Sequence, residues 1–341
     1  MPILRPSTNR HAGIAMTQAI IVRRHGTSDE LRYEAVPLPD PGSGEVRIRH
    51  HAIGLNFIDV YHRSGLYPVD SLPFTPGVEA AGIVEAVGEG VTDFAPGDRV
   101  AYAGGPLGAY AQARNFPASQ LVALPDGIDE RQAAAVMLKG MTAEYLVRRT
   151  YAVKAGETIL VHAAAGGVGQ LLSQWVAAIG ARVIGTVGSD EKALVAQALG
   201  CQHTINYRTE NIVDSVLEIT EGKGVPVVYD SVGKDTFEAS LAVLSPLGTL
   251  VSFGQSSGKV PPFDITQLSR RGSLYVTRPT LFDYIRTREQ LLESANALFE
   301  RLQQGNIQLE IGQEFALKDA ALAHQALEGR STRGSTILLP D

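Results

Sequence analysis

The 341-residue sequence holds a single cysteine, Cys201. One thiol excludes an intrachain disulfide and any metal site built from clustered cysteines, and it fits a reducing cytoplasm. No run approaches eighteen consecutive apolar residues, so no segment reads as a membrane span. No basic block occurs: 30 Lys and Arg stand against 36 Asp and Glu, a formal net charge of −6, which weighs against nucleic acid as a partner. Acid is also missing before Asp29. The opening stretch carries Arg5, Arg10 and His11 but also Pro2 and Pro6, and it has no apolar core for a secretory signal. Residues 1–15 are therefore expected to be a disordered extension or an alternative start.

What is present is glycine and short apolar runs. The chain has 35 glycines and 44% hydrophobic residues, and its length suggests two domains. From Gln18 to about residue 140 the pattern is strand and turn. "EVRIRHHAIGL" puts Val46 and Ile48 on one face and Arg47 and Arg49 on the other. After Met141 the texture changes to strand, helix, strand, helix, strand. Ile159 to Val161 and Val183 to Val187 are apolar on both faces, as buried parallel strands require. Past residue 285, Thr287 and Gln290 form a capping box, and Leu291, Ala295, Leu298 and Leu302 mark the core face of a helix that stops at Gly305. A second helix over Ala320 to Leu327 and the closing strand "GSTILLP" are expected to return to the first domain.

The stretch "VHAAAGGVGQ" puts small residues at Ala164, Gly166 and Gly169, between a strand and a helix expected to begin near Val168. Those three positions suit a dinucleotide: the first permits the tight turn, the second admits pyrophosphate, the third lets helix pack on strand. Gly166, Gly167, Val168 and Gly169 are thus candidate cofactor contacts at a positive helix end. An ordinary tight strand-to-helix turn is the plainer alternative, disfavoured by the strand–turn–helix–strand context. About twenty residues on, an NAD site wants an acid. Here the chain has Val187, Gly188 and Ser189, then Lys192, with Tyr207 and Arg208 expected to end the third strand. Amides, a hydroxyl and a cation suit a 2′-phosphate and so NADPH. Asp190 and Glu191 leave NADH open, although first-turn acids behind a Ser189 cap explain them equally.

Taken with "GLNFIDVYHRSGLYP", "PGVEAAGIVEAVGEGV", "MLKGMTAEYL", "VVYDSVG", "VSFGQSSG" and "GSLYVTRP", the chain from Gln18 to Pro340 resembles the zinc-free quinone oxidoreductases. These form the zeta-crystallin-like branch of the medium-chain dehydrogenase/reductase superfamily. The resemblance implies an α/β fold with a β-rich domain: a GroES-like barrel domain from residues 16–140 and 285–341, and a doubly wound Rossmann domain from 141–284. It implies a homodimer joined through the nucleotide-binding domains. Zinc-dependent relatives carry Cys at the position of Asn56 and His–Glu after Gly77; this chain reads Asn56 and Gly77-Val78-Glu79, so no metal is expected. The acceptor must then itself tolerate arriving hydride, as a quinone does over its ring and oxygens, or an enone as an enolate.

Carried over as cofactor contacts are Asn56 at the nicotinamide ribose and Thr142 at the pyrophosphate or nicotinamide. Phe253 and Gly254 fall at a strand end, Ser231 at adenosine, and Val276 to Arg278 at the carboxamide through backbone. Lys192, Tyr207 and Arg330 surround the adenosine phosphate. For Arg330 the alternative is a helix-terminal cation beside a Gly329 turn; for Phe253 and Val276 it is plain sheet core. Tyr61 and Tyr67 are candidates to line a quinone pocket, the alternative being barrel-loop residues with solvated hydroxyls; no catalytic acid is assigned. The function expected is NADPH-dependent quinone reduction without metal in the cytoplasm. The alternatives are alkenal or enone double-bond reduction, and a crystallin-like structural or RNA-binding role.

Overall fold

The computed structural model describes residues 15–340. The expected extension lies outside the described residues except for Ala15, which already pairs with Leu38 at the start of strand β1 (Ala15–Val22). Strand β2 (Leu31–Leu38) completes that hairpin. Next come β3 (Glu45–Leu55), α1 (Phe57–Ser64), β4 (Glu79–Val87), β5 (Arg99–Ala103), β6 (Ala113–Pro117), β7 (Val122–Ala123) and α2 (Glu130–Tyr145). The alternation in β3 works as its sequence demands. Val46 and Ile48 are fully buried while Arg49 is exposed, because successive side chains on a strand face opposite sides.

The middle of the chain alternates β8 (Thr158–Val161), α3 (Gly167–Ile179), β9 (Arg182–Val187), α4 (Asp190–Ala198), β10 (Cys201–Asn206), α5 (Ile212–Ile219), β11 (Val225–Asp230), α6 (Phe237–Ala242), β12 (Leu244–Ser252), α7 (Thr266–Arg270) and β13 (Tyr275–Thr277). Its strands form one parallel sheet in the order β10-β9-β8-β11-β12-β13. Both faces are covered. Ile159 and Val161 join one buried cluster with Val183, Val227 and Tyr229, while Leu160 joins another with Ile184, Val228 and Leu250. Each such fully buried side chain contributes roughly 1.5–3 kcal/mol.

The chain then runs through α8 (Leu281–Tyr284), α9 (Arg288–Gln303), β14 (Ile311–Ala316), α10 (Ala320–Glu328) and β15 (Ser335–Leu339). Thr287 caps α9 by accepting from the Gln290 N–H, and Leu291, Ala295 and Leu298 are buried. β15 pairs antiparallel with β3, so the C-terminal end completes the first sheet, ordered β14-β15-β3-β4-β5-β7 with β6 also on β3. Helix α2 packs against β3, β4 and β5 on one side and against α3 on the other. It therefore joins the two sheets at the place where a cleft opens between them.

Candidate active site in the cleft between the sheets

In the parallel sheet the strand order reverses between β8 and β11, where α/β sheets leave a crevice beyond the carboxyl ends of their strands. The chain turns there through Ala163, whose φ of 54° is left-handed. The tight turn thus falls one residue before Ala164, the position read for it from sequence. Ala164 has another task. Its N–H donates to Thr186 O at 3.0 Å and its methyl lies over Gly185. α3 begins at Gly167, one residue earlier than expected, with Gly166 as its N-cap. Because Gly166 has no side chain, no side chain among the described residues caps the first-turn N–H groups, which border the cleft. Gly169 is required for packing: an added Cβ would stand 2.3 Å from Ala163 O.

This turn floors a cleft of about 450 Å³. Gly166, Gly167, Val168 and Gly169 face Thr142 and Ser231 there, and Phe253 and Gly254 come in from the end of β12. Asn56, Tyr61 and Tyr67 form the opposite wall at the start of α1 and just beyond its end. The Tyr61 and Tyr67 rings lie 5.0 Å apart. Tyr61 O accepts from the Gln255 N–H at 3.3 Å, and Tyr67 O accepts from Arg278 Nη2 at 2.9 Å. Among the described residues neither phenol proton meets an acceptor, so both remain available to donate. Burial pushes the Tyr61 phenol up to about 12, which keeps it protonated.

Arg278 differs from its expected role, since its side chain as well as its backbone enters the site. Nη1 donates to Ser252 O and Gly254 O, each at 2.8 Å, fixing the guanidinium in the wall. Val276 does not line the cleft; it packs beside the Leu160 cluster as sheet core.

Gly188, Ser189, Lys192, Tyr207 and Arg330 lie outside the main cleft lining and gather at the carboxyl end of β9. Lys192 Nζ donates to Arg330 O at 3.0 Å, and an added Cβ on Gly188 would stand 2.4 Å from the Tyr207 hydroxyl. Tyr207 and Arg208 follow β10 rather than end it. Burial lowers the Lys192 ammonium, and the charges of Arg208 and Arg330 lower it further. Crowded cations of this kind favour an anion between them. Asp190 is already engaged by Asn206 Nδ2 at 2.8 Å, and Ser189 caps α4 by accepting from the Lys192 N–H. The left-handed residue after α10 is Arg330, φ 57°, and not Gly329.

One wall residue, Lys139, and the carboxylate behind it had no role assigned from sequence. Glu79, fully buried, accepts from Asn56 Nδ2 and from the Leu138 N–H, both at 2.7 Å. Beside it Lys139 lines the cleft with its Nζ 3.5 Å from Glu79 Oε2. A lone cation inside the apolar run "AAAVMLKGM" was the available signal. Of the histidines near this wall, His50 is buried against Ala111 O and the Tyr102 hydroxyl. Among the described residues no group of three or more His, Cys, Asp or Glu is placed to hold a metal ion.

Residues 42–126 match the alcohol dehydrogenase GroES-like domain and residues 167–297 match the zinc-binding dehydrogenase family. A quinone oxidoreductase of Pseudomonas aeruginosa is 55% identical over 95% of this chain and 100% of its own. The chain belongs to the quinone oxidoreductases of the medium-chain dehydrogenase/reductase superfamily. A 2-haloacrylate reductase of Burkholderia sp. is 46% identical over 95% of this chain and 99% of its own. The crystal structure of Escherichia coli quinone oxidoreductase complexed with NADPH superposes with a TM-score of 0.93 at 49% identity, over 95% of this chain and 100% of that one. As a quinone oxidoreductase, the chain has a site whose residues fit a dinucleotide. Gly166 leaves a cradle of amides with no side-chain cap among the described residues, a Cβ on Gly169 would close the turn, and Lys139 Nζ is a buried donor with no hydrogen-bond acceptor among them.

Proposed function

We propose that this protein is an NADPH-dependent quinone reductase. The observation that carries the reading is the cleft itself, in which a glycine turn without a side-chain cap faces two mutually tilted phenol rings whose protons meet no acceptor among the described residues. NADPH, when bound, supplies the hydride from its nicotinamide. Gly166, Gly167, Val168 and Gly169 hold the diphosphate by backbone donors. Lys192, Tyr207 and Arg330, joined by Arg208, Gly188 and Ser189, take the 2′-phosphate. Asn56, Thr142, Phe253, Gly254 and Ser231 position the remainder of the cofactor. Tyr61 and Tyr67 pack on a flat acceptor and donate to its oxygen as charge gathers there, while the apolar walls exclude water.

Residues 16–140 with 285–341 act as the acceptor side and 141–284 as the nucleotide side. The protein works as a homodimer through the nucleotide domain. In support, among the described residues β13 pairs only with β12 and so forms the edge of its sheet, where Tyr275 is exposed. The cytoplasm is its compartment and nucleic acid is not its partner; no helix among the described residues is long and apolar enough to cross a membrane.

A second reading, reduction of an activated carbon–carbon double bond, is favoured by the 46% identity to a 2-haloacrylate reductase. Initial rates with NADPH and NADH, each against a benzoquinone, a naphthoquinone and a short alkenal, separate the two. Fast NADPH oxidation with quinones and little with the alkenal is expected. Clear preference for the alkenal would move the assignment to the second reading.

A further inference from the structure

Lys139 stands in the cleft wall with its side chain only 8% exposed, and among the described residues its Nζ has no hydrogen-bond acceptor. The neighbouring carboxylate does not fill that need. Glu79 Oε2 is 3.5 Å away and already accepts from Asn56 Nδ2, while Oε1 accepts from the Leu138 N–H. Glu79 is closed in from behind as well: a Cβ on Gly54 would fall 2.2 Å from Oε2 and 2.3 Å from Ala134 O. The Lys139 stem runs past the first residue of α3, where a Cβ on Gly167 would stand 2.9 Å from Cδ and 3.1 Å from Cε.

Two positive features therefore meet in one place. The uncapped amino end of α3 carries about half a positive charge, and an ammonium with unfilled donors lies beside it. Each disfavours the other. Lys139 Nζ is ion-paired with Glu79 at 3.5 Å, but its buried hydrogen-bond donors stay unfilled among the described residues, which is costly in its own right. An anion at that point relieves both.

We propose that Lys139 is a cofactor-binding residue whose ammonium donates to the diphosphate oxygens of the dinucleotide at the amino end of α3, with Glu79 linking that contact to the Asn56 carboxamide. This rests on the NADPH reading above and adds a side-chain cation to a subsite otherwise built from backbone. Glu79 is shared by the two residues, so the diphosphate contact and the orientation of Asn56 are set by one carboxylate.

The test is equilibrium binding of NADPH and of 2′-AMP, which keeps the adenosine phosphate and lacks the diphosphate. Wild type, Lys139→Met, Lys139→Gln and Lys139→Arg are compared at low and moderate salt, with Tm recorded for each. Loss of one charge-assisted hydrogen bond predicts an NADPH Kd raised about 10- to 100-fold in the Met and Gln variants. Their salt dependence should be shallower, 2′-AMP should bind as in wild type, and Lys139→Arg should recover part of the affinity. If either neutral variant folds and binds NADPH as wild type does, Lys139 only neutralises Glu79 and the proposal is overturned. Equal loss of 2′-AMP binding overturns it too, since the damage is then general. A wild-type chain that does not bind NADPH overturns the cofactor reading and this proposal with it.

Discussion

Arg278 Nη2 donates to the phenol oxygen of Tyr67 at 2.9 Å across 211 residues of sequence. The same guanidinium is anchored by Ser252 O and Gly254 O, so the carboxyl end of β12 holds a phenol on the opposite wall. With its oxygen occupied as acceptor, the Tyr67 proton is directed to another partner. Removing the hydroxyl in Tyr67→Phe should lower kcat/KM for quinone about 3- to 10-fold, the worth of one hydrogen bond. NADPH Kd should stay unchanged. Steady-state kinetics beside a binding titration check this, and a kcat/KM equal to wild type removes Tyr67 from acceptor recognition.

The cation cluster predicts cofactor choice. Lys192→Ala and Arg330→Ala should each raise KM for NADPH roughly tenfold while leaving KM for NADH nearly unchanged, because NADH brings no 2′-phosphate to pair with them. An equal rise for both cofactors would show that these residues shape the site instead of reading the phosphate.

Gly169 has no space for a methyl, since the obstacle is backbone: Ala163 O would lie 2.3 Å from the new Cβ. Gly169→Ala should destabilise the fold by about 1–3 kcal/mol through displacement of the turn. It should also weaken NADPH. Thermal melts with and without NADPH measure both effects, and a variant with wild-type Tm would contradict this packing.

Stability should fall as pH is lowered from 7 to 5. Burial lowers His50 and His324 from near 6.5 to about 3, so they stay neutral in the fold while the unfolded chain takes up their protons. Burial also lowers His162, with the same sign. Asp59 opposes them. Burial raises its carboxyl to about 7, so the fold gains its proton first and stability from this group rises as pH falls. Burial lowers His62 in the same direction as the other imidazoles, and four imidazoles against one carboxyl leave a net loss. Urea melts at pH 7, 6 and 5 read the slope, and His50→Gln should flatten it; an unchanged slope would place the proton uptake elsewhere.

The short-range features were legible. The alternation in β3, the Thr287 capping box, the double-sided apolar strands and the glycine turn each depend on residues a few positions apart. Errors were local as well: the left-handed φ fell on Ala163 and on Arg330, because backbone at a turn answers to what packs on it. Tyr61 and Tyr67 could be named from sequence, being six residues apart on and after one helix. Their partners could not, since Gln255 and Arg278 arrive from another sheet.

By itself the sequence determined the periodicities, the places where side chains had to be absent, and the lack of an acid at the end of β9, where Val187, Gly188 and Ser189 stand. Those are properties of neighbours along the chain, fixed by sterics and strand or helix period. Only the tertiary structure decided which charges share a wall. Glu79, Asn56 and Lys139 come from β4, the entry to α1 and α2, and Lys139 then lies against α3. Hydrogen bonding and Coulomb interaction depend on distance and on exclusion of water, and neither quantity is written in sequence separation.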